Sequence, residues 1–515
     1  MSTYFLGIDF GTGGAKACLI DEEANVLSYA FKEYKIITNG LGWSEHDPHD
    51  YWNVLCSLVK ECIIKGGIDS KDIKAIGTSS ALPSMVMVDA NGNTIQNAYN
   101  LMDRRAIKQT EWIKRNIGED AIFELTGNRL EDHPLIVNLM WERDNRPESF
   151  KRINMALTID GYIRFKLTGK NSVNIPCAAF YGVAYDIRKH YFKQEVLDEI
   201  GISRDLLPEI YPCEEIIGEV TIQAARETGL AAGIPVAAGQ ADAPAGWMGS
   251  GAIEEGDTQM NLGTCGNFGV LHRDTNFLKS MLVCAHTVDC KNLFATIPTT
   301  TTGGQSLRYL RDQFSHAEVS VEKLIGVNAY DMLNMEAERV VPGSEGLIIL
   351  PYLMGERTPI WDVHARGVVF GMSLNHGKAH FARAMMEAVA YAMYQSFEII
   401  RESGKKIKYP IVLNEGGGVS RVWRTIITNV FNVPTVLVKS RVGAPFGDAI
   451  LAAVATGHFM DYTITKEKAE YIDLIEPEEK THAMYTDYFA LYKKLYVNLK
   501  DNFAELAALR TKHLI

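Results

Sequence analysis

The sequence lacks the features that mark several specialised classes of protein. Its eight cysteines are scattered and form no CxxC pair, which argues against a disulfide framework and against a zinc site. It has no low-complexity tract, and its 47% hydrophobic and 22% charged residues are ordinary for a soluble globular chain. Disordered, collagen-like and coiled-coil proteins are therefore excluded. The 515 residues, at roughly 100–200 residues per domain, predict two or more large domains.

The chain has fewer positive than negative charges, and it lacks long apolar runs. The 52 lysines and arginines are outnumbered by 63 aspartates and glutamates, so the formal net charge is −11. This charge repels nucleic acid and anionic lipid, and we expect neither as a partner. No apolar run approaches the ~18 residues of a membrane span. The first ten residues include Asp9 and lack the basic segment of a signal peptide, so we expect a cytoplasmic protein.

Motifs of several common enzyme classes are missing. The nearest match to a Walker A loop, from Gly371 to Ala379, is too long and lacks the Ser or Thr that would hold magnesium. There is no GxGxxG after the first predicted strand and no HExxH, which weakens the case for a nicotinamide dehydrogenase or a zinc hydrolase. The stretch that begins at Asp89 resembles a calcium loop but has Thr94 where that loop needs glycine.

What the sequence does contain is a pair of glycine hairpins. The first predicted strand, Tyr4–Asp9, and the next, Ala17–Asp21, flank the turn Gly11-Thr-Gly-Gly. The same arrangement returns around Gly263-Thr-Cys-Gly, which starts 252 positions after Gly11, half the length of the chain. This spacing indicates two similarly built lobes. Between the hairpins, predicted strands and helices alternate, which is typical of α/β lobes.

Either hairpin could hold phosphates. Glycine lets backbone N–H groups approach phosphate oxygens, and the hydroxyls of Thr12 and Thr264 would add donors. Asp9 could hold magnesium through water, and Lys16 is a candidate counter-charge for a phosphate. The alternative is that the glycine turns merely join strands, and the residues alone leave the two interpretations about equal.

A segment rich in Gly, Ala and Pro, residues 229–252, separates the two halves. We place the boundary near Gly251, which gives lobes 1–251 and 252–515. Asp242 lies in this segment, after an apolar strand and among small residues that would let a ligand approach its carboxylate. It could be a general base, or the N-cap of a helix that contains Pro244, and both roles can coexist.

A third glycine cluster, Gly416–Gly418, follows the predicted strand 410–413 and precedes the predicted helix Trp423–Phe431. A strand, a glycine turn and a helix suit an adenosine or its phosphates lying against backbone, although close helix–strand packing explains the glycines nearly as well. The stretch 355–362, GERTPIWD, reads as a charged loop. Longer helices are predicted at 105–116, 381–400 and 483–510 and are expected to pack in the core.

The order of these segments resembles the FGGY family of carbohydrate kinases over nearly the whole chain. The most specific segment is Gly367–Met372 followed, after seven residues, by His380–Glu387, which fits the family's C-terminal signature position by position. GIDFGTGGAK and NLGTCG are similar to the family's two phosphate hairpins. The other matching segments are GWSEHDPHDYW, MDRRA, PYLMGERTPIWD and GGGVSRVW, in the family's order.

The resemblance implies an α/β fold of two actin-like (ribonuclease-H-type) lobes with a central cleft, in which ATP, Mg²⁺ and a sugar meet and which closes on its substrates. It implies an ATP-dependent sugar kinase with Asp242 as the base and Asp9 as the catalytic carboxylate that helps to place magnesium. The nucleotide would be held by Thr12, Gly13, Lys16, Gly263, Thr264, Gly304, Gly417, Gly418 and Arg421.

Within the family, the xylulokinase-like branch is the most similar, but the sugar side departs from it. Leu82 and Pro83 stand where that branch has a Met-His pair, and Ala243 stands where it has Asn. Asp103, at the position of the family's sugar-side acid, is retained, while the Trp usual two residues earlier is Leu101. A hydroxyl that loses its buried partner costs about 1–3 kcal/mol, so these changes should alter the hydroxyl pattern that is accepted.

We expect a small-molecule sugar or polyol substrate, with a ketopentose such as D-xylulose first. Another pentulose, a four-carbon polyol (tetritol) or a sugar acid follow closely, whereas glycerol is disfavoured because the arginine-glutamate pair of glycerol kinases is absent from Ser79–Ser84. Two rivals from other classes are a sugar- or nucleotide-binding regulator on the same fold and an actin-like ATPase. A homodimer is possible.

Overall fold

Both predicted hairpins form, and each lies at the centre of its own β-sheet. The computed structural model describes residues 3–40, 42–414, 416–439 and 442–513. The first hairpin joins Tyr4–Phe10 to Gly14–Asp21, and the second joins Thr258–Leu262 to Gly266–His272. The glycine spacing therefore predicted both turns and placed the flanking strands to within three residues.

The two sheets repeat one topology, which confirms the two-lobed α/β fold. In each sheet the first strand of the hairpin pairs with a parallel strand. Beyond that strand lie a second parallel strand and then an antiparallel edge strand. On the other side, the second strand of the hairpin pairs with a further antiparallel strand. The first sheet has the order Ile216–Glu219, Pro235–Ala237, Ile73–Ser80, Tyr4–Phe10, Gly14–Asp21, Val26–Glu33, with Gln240–Ala241 also paired to Ile73–Ser80. The corresponding order in the second sheet is Tyr471–Ile475, Thr435–Val438, Ile411–Asn414, Thr258–Leu262, Gly266–His272, Phe294–Thr296, Val283–Ala285, with Thr299–Thr300 also paired to Gly266–His272.

Helices cover the sheets. The long helices predicted in the second half form with slightly wider bounds, and the helix Lys378–Glu402 packs its apolar side under the second sheet. The described α-helices are Pro48–Gly66, Ile107–Asn116, Glu119–Thr126, Leu135–Asn145, Pro147–Phe150, Ile159–Thr168, Ile175–Ala178, Gln194–Ile200, Ile222–Thr228, Asp242–Gly249, Gly304–Phe314, His316–Ile325, Ala329–Glu338, Lys378–Glu402, Arg421–Phe431, Ala444–Ala455, Ile464–Lys468 and Glu479–His513.

Short strand pairs complete the described structure. They join Glu45–His46 to Ala98–Tyr99, Val86–Val88 to Met155–Leu157, Val173–Asn174 to Ile210–Tyr211, Tyr185–Asp186 to Tyr191–Phe192, and Ile348–Leu350 to Val368–Phe370. Within the described residues, no helix is both long enough and apolar enough to cross a membrane. All eight cysteines are unpaired, and six of them are buried, as the scattered spacing predicted.

Two helices cross between the sheets at the centre of the molecule. The helix Ala444–Ala455 lies so close to the first sheet that a Cβ on Gly7 would fall 1.9 Å from a carbonyl oxygen of this helix. The helix Asp242–Gly249 presses Trp247 against the second sheet, where a Cβ on Gly269 would fall 1.9 Å from the indole ring. Each helix thus follows a strand of one sheet and packs on the other sheet. The boundary near residue 251 stays a prediction, since the packing here does not follow chain order.

Candidate active site

The first hairpin places Asp9 and Lys16 side by side. They are paired positions of the antiparallel strands Tyr4–Phe10 and Gly14–Asp21. The turn between the strands is closed by the Gly11 N–H donating to the Gly14 carbonyl at 3.0 Å. A Cβ on Gly13 would meet no atom within 4 Å, so the turn offers open backbone to an approaching ligand.

A cavity of about 210 Å³ brings this hairpin to the other lobe. Asp9, Lys16 and Asp242 line it from the first half of the chain. From the second half it is lined by Asn261, Asn267, Asn414, Val438, Gly443 and Ala444. The predicted base Asp242 therefore shares one space with Asp9 and Lys16 of the first hairpin.

Asp242 is the first residue of its helix, whose N-cap is Ala241, so the N-cap interpretation is wrong by one position. Its Oδ1 accepts the N–H of Ala243 at 2.7 Å. Burial and the charge of Asp9 raise the pKa of Asp242 to about 7, against the opposing effects of the Ala243 N–H and of Lys16. A carboxylate that titrates near neutrality is suited to accept a proton from a hydroxyl group.

The second hairpin is held by the loop that follows the short strand Thr299–Thr300, which pairs with the hairpin strand Gly266–His272. The Gly303 N–H donates to the Thr264 carbonyl at 2.9 Å, and the Gly304 N–H donates to the Gly263 carbonyl at 2.6 Å. A Cβ on Gly304 would lie 2.7 Å from that Gly263 oxygen, so only glycine permits this approach. The structure thus brings Gly263, Thr264 and Gly304 together.

A second cavity of about 390 Å³ adjoins this hairpin and is lined by three of the glycines predicted to hold the nucleotide, Gly263, Gly304 and Gly417. Its walls combine backbone from the glycine turns with the side chains of Leu307, Tyr330 and Trp423. A Cβ on Gly417 would lie 2.8 Å from the Trp423 ring. The other lining residues are Leu262, Gly263, Thr264, Gly304, Gln305, Arg308, Asn328, Asp331, Asn334, Gly416, Val419 and Ser420.

Five of the nine predicted nucleotide residues do not line this cavity. Lys16 lines the smaller cavity, Thr12 and Gly13 line neither of the two, and Gly418 and Arg421 lie elsewhere. Gly418 is buried, and its nearest neighbours are Leu413 and Leu437 beneath the turn. Arg421 is exposed, forms an ion pair with Asp473 and lines a different cavity. Asp473 binds its guanidinium, so the predicted contact of Arg421 with the nucleotide stays a prediction.

The sugar-side residues occupy a more apolar environment. Leu82 is half-buried, Pro83 is buried, and Leu82 packs with Ala243 against one hydrophobic cluster. Asp103 is fully buried. Its carboxylate accepts the Ser44 N–H at 2.7 Å and two N–H groups of Arg105 at 2.7 and 2.8 Å. Asp103 therefore orients the Ser44 backbone and the Arg105 side chain, and it lines neither of the two cavities, so its predicted contact with the sugar stays a prediction.

Metal ligation would depend on few protein groups. Among the residues described, no group of three or more His, Cys, Asp or Glu side chains is placed to hold a metal ion. Asp9 is a buried carboxylate at the cavity wall. One carboxylate, completed by water and substrate phosphates, is the usual pattern for Mg²⁺ and fits this site.

Sequence reasoning missed three residues that organise the site. Glu356 accepts hydrogen bonds from the backbone of Thr301 and the hydroxyl of Thr300, in the loop that holds the second hairpin. Ser79 and Asp448 lie behind Asp9. One signal was available, since Asp448 is the only charged residue in the helix segment APFGDAILAAVA.

Comparisons with known proteins bear on the family and the fold. Residues 4–249 match the model of the N-terminal domain of the FGGY family of carbohydrate kinases, and residues 259–456 match its C-terminal domain. The chain is 28% identical to xylulose kinase of Bacillus subtilis over 97% of both chains, and 26% identical to gluconokinase of Bacillus licheniformis over 98% of both. The crystal structure of xylulose kinase from Rhodospirillum rubrum superposes with a TM-score of 0.88 at 25% identity, covering 97% of this chain and 100% of that one.

Proposed function

The chain belongs to the FGGY family of carbohydrate kinases and is an ATP-dependent sugar kinase, and we propose that it phosphorylates a ketopentose such as D-xylulose with Asp242 as the general base. The observation that supports this proposal is the shared cavity. Asp242, Asp9 and Lys16 line it together with residues of the other lobe. A base and phosphate ligands in one small space are what in-line transfer of a phosphoryl group needs.

In the proposed reaction, the Asp242 carboxylate takes the proton of the attacking sugar hydroxyl. Lys16, the Thr12 and Thr264 hydroxyls and the open backbone at Gly13 neutralise charge on the phosphates. Asp9 would hold Mg²⁺, which screens the phosphate charge when it is bound. Gly263, Gly304 and Gly417 would let the nucleotide lie against backbone in the larger cavity.

The charge of the site favours a neutral acceptor. Asp9 and Asp242 are both carboxylates, and Lys16 is the one cation among the described residues that line their cavity. A sugar acid would add a further negative charge there, which costs energy unless a cation pairs with it. A ketopentose avoids this cost, and it is also the class named by the xylulose kinase relative. The gluconokinase relative keeps aldonates as the second candidate.

One screen tests the substrate. Purified protein is incubated with ATP, Mg²⁺ and separate pentuloses, tetritols, other polyols and aldonates, and ADP release is followed. The highest kcat/KM is expected with a ketopentose. A clear preference for an aldonate would overturn this choice without affecting the assignment as a sugar kinase.

A substitution tests the base. In Asp242→Asn, sugar-dependent ADP release should fall by at least about 1,000-fold while ATP affinity by calorimetry stays within about threefold, because the amide cannot accept the proton. Asp89→Asn, in an exposed turn, is the matched control and should behave as the wild type. Undiminished turnover by Asp242→Asn would contradict the proposed role.

A further inference from the structure

Asp448 is a fully buried carboxyl in an otherwise apolar helix that packs on the first sheet. The approach is close, since a Cβ on Gly77 would lie 2.0 Å from the Asp448 carbonyl oxygen. The helix belongs to the second half of the chain, and Gly77 belongs to the first. Asp448 is therefore held rigidly at the contact between the two halves.

The Asp448 side chain reaches the active site through Ser79. The Ser79 hydroxyl oxygen lies 2.7 Å from Asp448 Oδ2 and 3.1 Å from Asp9 Oδ1. On the other side, the Gln240 amide donates to Asp448 Oδ1 at 2.9 Å. Gln240 lies two residues before Asp242, in the strand end that leads to the proposed base. Asp448 thus contacts supports of both active-site carboxylates.

The number of protons determines how this chain of hydrogen bonds runs. A serine hydroxyl has one proton and can donate to only one of two carboxylate oxygens. Both contacts are satisfied when Asp448 carries a proton and donates to Ser79, which then donates to Asp9. This arrangement also leaves one negative charge in the buried group instead of two. Burial and the charge of Asp9 raise the pKa of Asp448 well above its ordinary value, in agreement with the protonated form.

We propose that Asp448 is a positioning residue for the phosphoryl transfer, a neutral acid that orients Asp9 through Ser79 and the strand end before Asp242 through Gln240. The inference rests on the proposed function of Asp9 and Asp242. Asp448 itself lines neither of the two cavities. Its contribution is to hold the Asp9 carboxylate in one orientation, which a site that works by positioning requires.

Asparagine and alanine at position 448 distinguish this role from that of a charged residue. Asp448→Asn keeps an N–H donor for Ser79 and a carbonyl acceptor for Gln240, so kcat should stay within about threefold of the wild type. Asp448→Ala removes both groups, and kcat should fall by at least about tenfold with less than about a threefold change in the sugar KM. Ser79→Ala should show a loss no larger than that of Asp448→Ala, because it leaves the Gln240 contact of Asp448 in place. The double variant Ser79→Ala/Asp448→Ala should be no worse than Asp448→Ala alone, because Ser79 acts in series with Asp448.

Controls separate positioning from damage to the fold. Ser28→Ala removes another buried hydroxyl of the first sheet, one that donates to the Cys62 carbonyl, and should leave kcat unchanged. A second readout is calorimetric binding of ATP with Mg²⁺, which should weaken at least about threefold in Asp448→Ala and not in Asp448→Asn. If Asp448→Ala does not fold, Ser79→Ala and Asp448→Asn carry the test.

Each outcome bears on a different statement. Equal losses in Asp448→Asn and Asp448→Ala would overturn the neutral-donor role, and wild-type behaviour of Asp448→Ala would overturn the positioning role altogether. Additive losses in the double variant would show that Asp448 does not act through Ser79. If the wild type phosphorylated no sugar, the proposed function would fail, while the ATP-binding comparison would still decide whether Asp448 orients the site.

Discussion

The guanidinium of Arg357 lies 3.8 Å from the carboxylate of Glu131, and this ion pair joins the C-terminal family domain to the N-terminal one. Arg104, of the N-terminal domain, also approaches Glu131, at 3.5 Å. The pKa of Glu131 lies below its ordinary value: burial alone would raise it, but electrostatic interactions with His133, Arg357 and Arg104 lower it. One nearly buried carboxylate is therefore shared by an arginine from each domain.

We expect Glu131→Gln to weaken this link between the domains. Arg357 would lose this ion pair, whereas Arg104 would keep Asp132 at 2.7 Å. Because both arginines are partly exposed, the loss should be about 1–2 kcal/mol and not the larger penalty of a fully buried pair. Small-angle scattering should show the wild type contracting when sugar and nucleotide are added together, and Glu131→Gln contracting less. Glu148→Gln, in an exposed ion pair, is the control. No contraction of the wild type would contradict the expected closure.

The raised pKa of Asp242 predicts how activity depends on pH. The base must be ionised, so kcat/KM should rise about tenfold per pH unit below about pH 7 and level off above it. The positive charge of Lys16 favours the ionised form of Asp242, so Lys16→Met should raise the pKa of Asp242 further. The rising part of the pH profile should then move to higher pH in the activity that remains. A rising part that does not move in this variant would argue that another group titrates.

Ionisation of Asp242 should have opposite effects on activity and on stability: it is required for catalysis, but it lowers the free energy of unfolding. The pKa of Asp242 is raised in the folded protein, so its contribution to stability is present below its ordinary value of 3.8 and is lost as the pH rises through about 7. Asp242→Asn removes the ionisation, and thermal unfolding should therefore occur at a higher temperature than in the wild type at about pH 8. The difference should disappear near pH 4. A less stable Asp242→Asn at about pH 8 would contradict this assignment.

Gly13 and Gly304 should respond differently to alanine. A Cβ at Gly13 meets no protein atom within 4 Å, so Gly13→Ala should unfold within about 1 °C of the wild type. If phosphates use that space, its KM for ATP should rise about tenfold. A Cβ at Gly304 would press on the Gly263 carbonyl, and Gly304→Ala should lower both stability and ATP affinity. Gly377→Ala, also free of contacts, is the control for Gly13→Ala, and an unchanged KM in both would exclude phosphate contact at Gly13.

The sequence predicted the features that depend on neighbouring residues. Glycine turns and apolar alternation are local, which is why both hairpins and the helices Lys378–Glu402 and Glu479–His513 formed near their predicted bounds. The repeat of the hairpin half a chain later also indicated the paired sheets. The local pattern left the role of Asp242 open between a general base and an N-cap. The family resemblance added the expectation that Asp242 lies in the cleft.

The features that were missed depend on residues far apart in the chain. Ser79 and Asp448 are 369 positions apart and meet only because a helix of the second half packs on the first sheet. The family resemblance implied that Arg421 lies at the nucleotide, but Asp473, 52 positions later, binds its guanidinium. A charged residue gives no local sign of which distant partner will bind it, so such contacts could not be predicted from spacing alone.

Glu356 provides the last prediction, because it ties the loop 355–362 to the second hairpin. Its carboxylate accepts the N–H groups of Thr301 and Arg357 at 2.6 and 2.7 Å and the hydroxyl of Thr300. Glu356→Ala would leave these buried donors without an acceptor, at about 1–3 kcal/mol for each that finds no water. The loop that holds Gly263 and Thr264 would then loosen, and the KM for ATP should rise at least about tenfold while the sugar KM changes less than about threefold.

Glutamine separates hydrogen bonding from charge at this position. Burial raises the pKa of Glu356 above its ordinary value, so its charge is costly to keep and its oxygen atoms carry the function. The amide oxygen of Glu356→Gln can accept both backbone N–H groups, and the Thr300 hydroxyl can rotate to accept from the amide nitrogen. Steady-state kinetics should therefore give Glu356→Gln a KM for ATP near that of the wild type. If glutamine failed as badly as alanine, the negative charge of Glu356, and not its hydrogen bonds to the loop, would be what the nucleotide site needs.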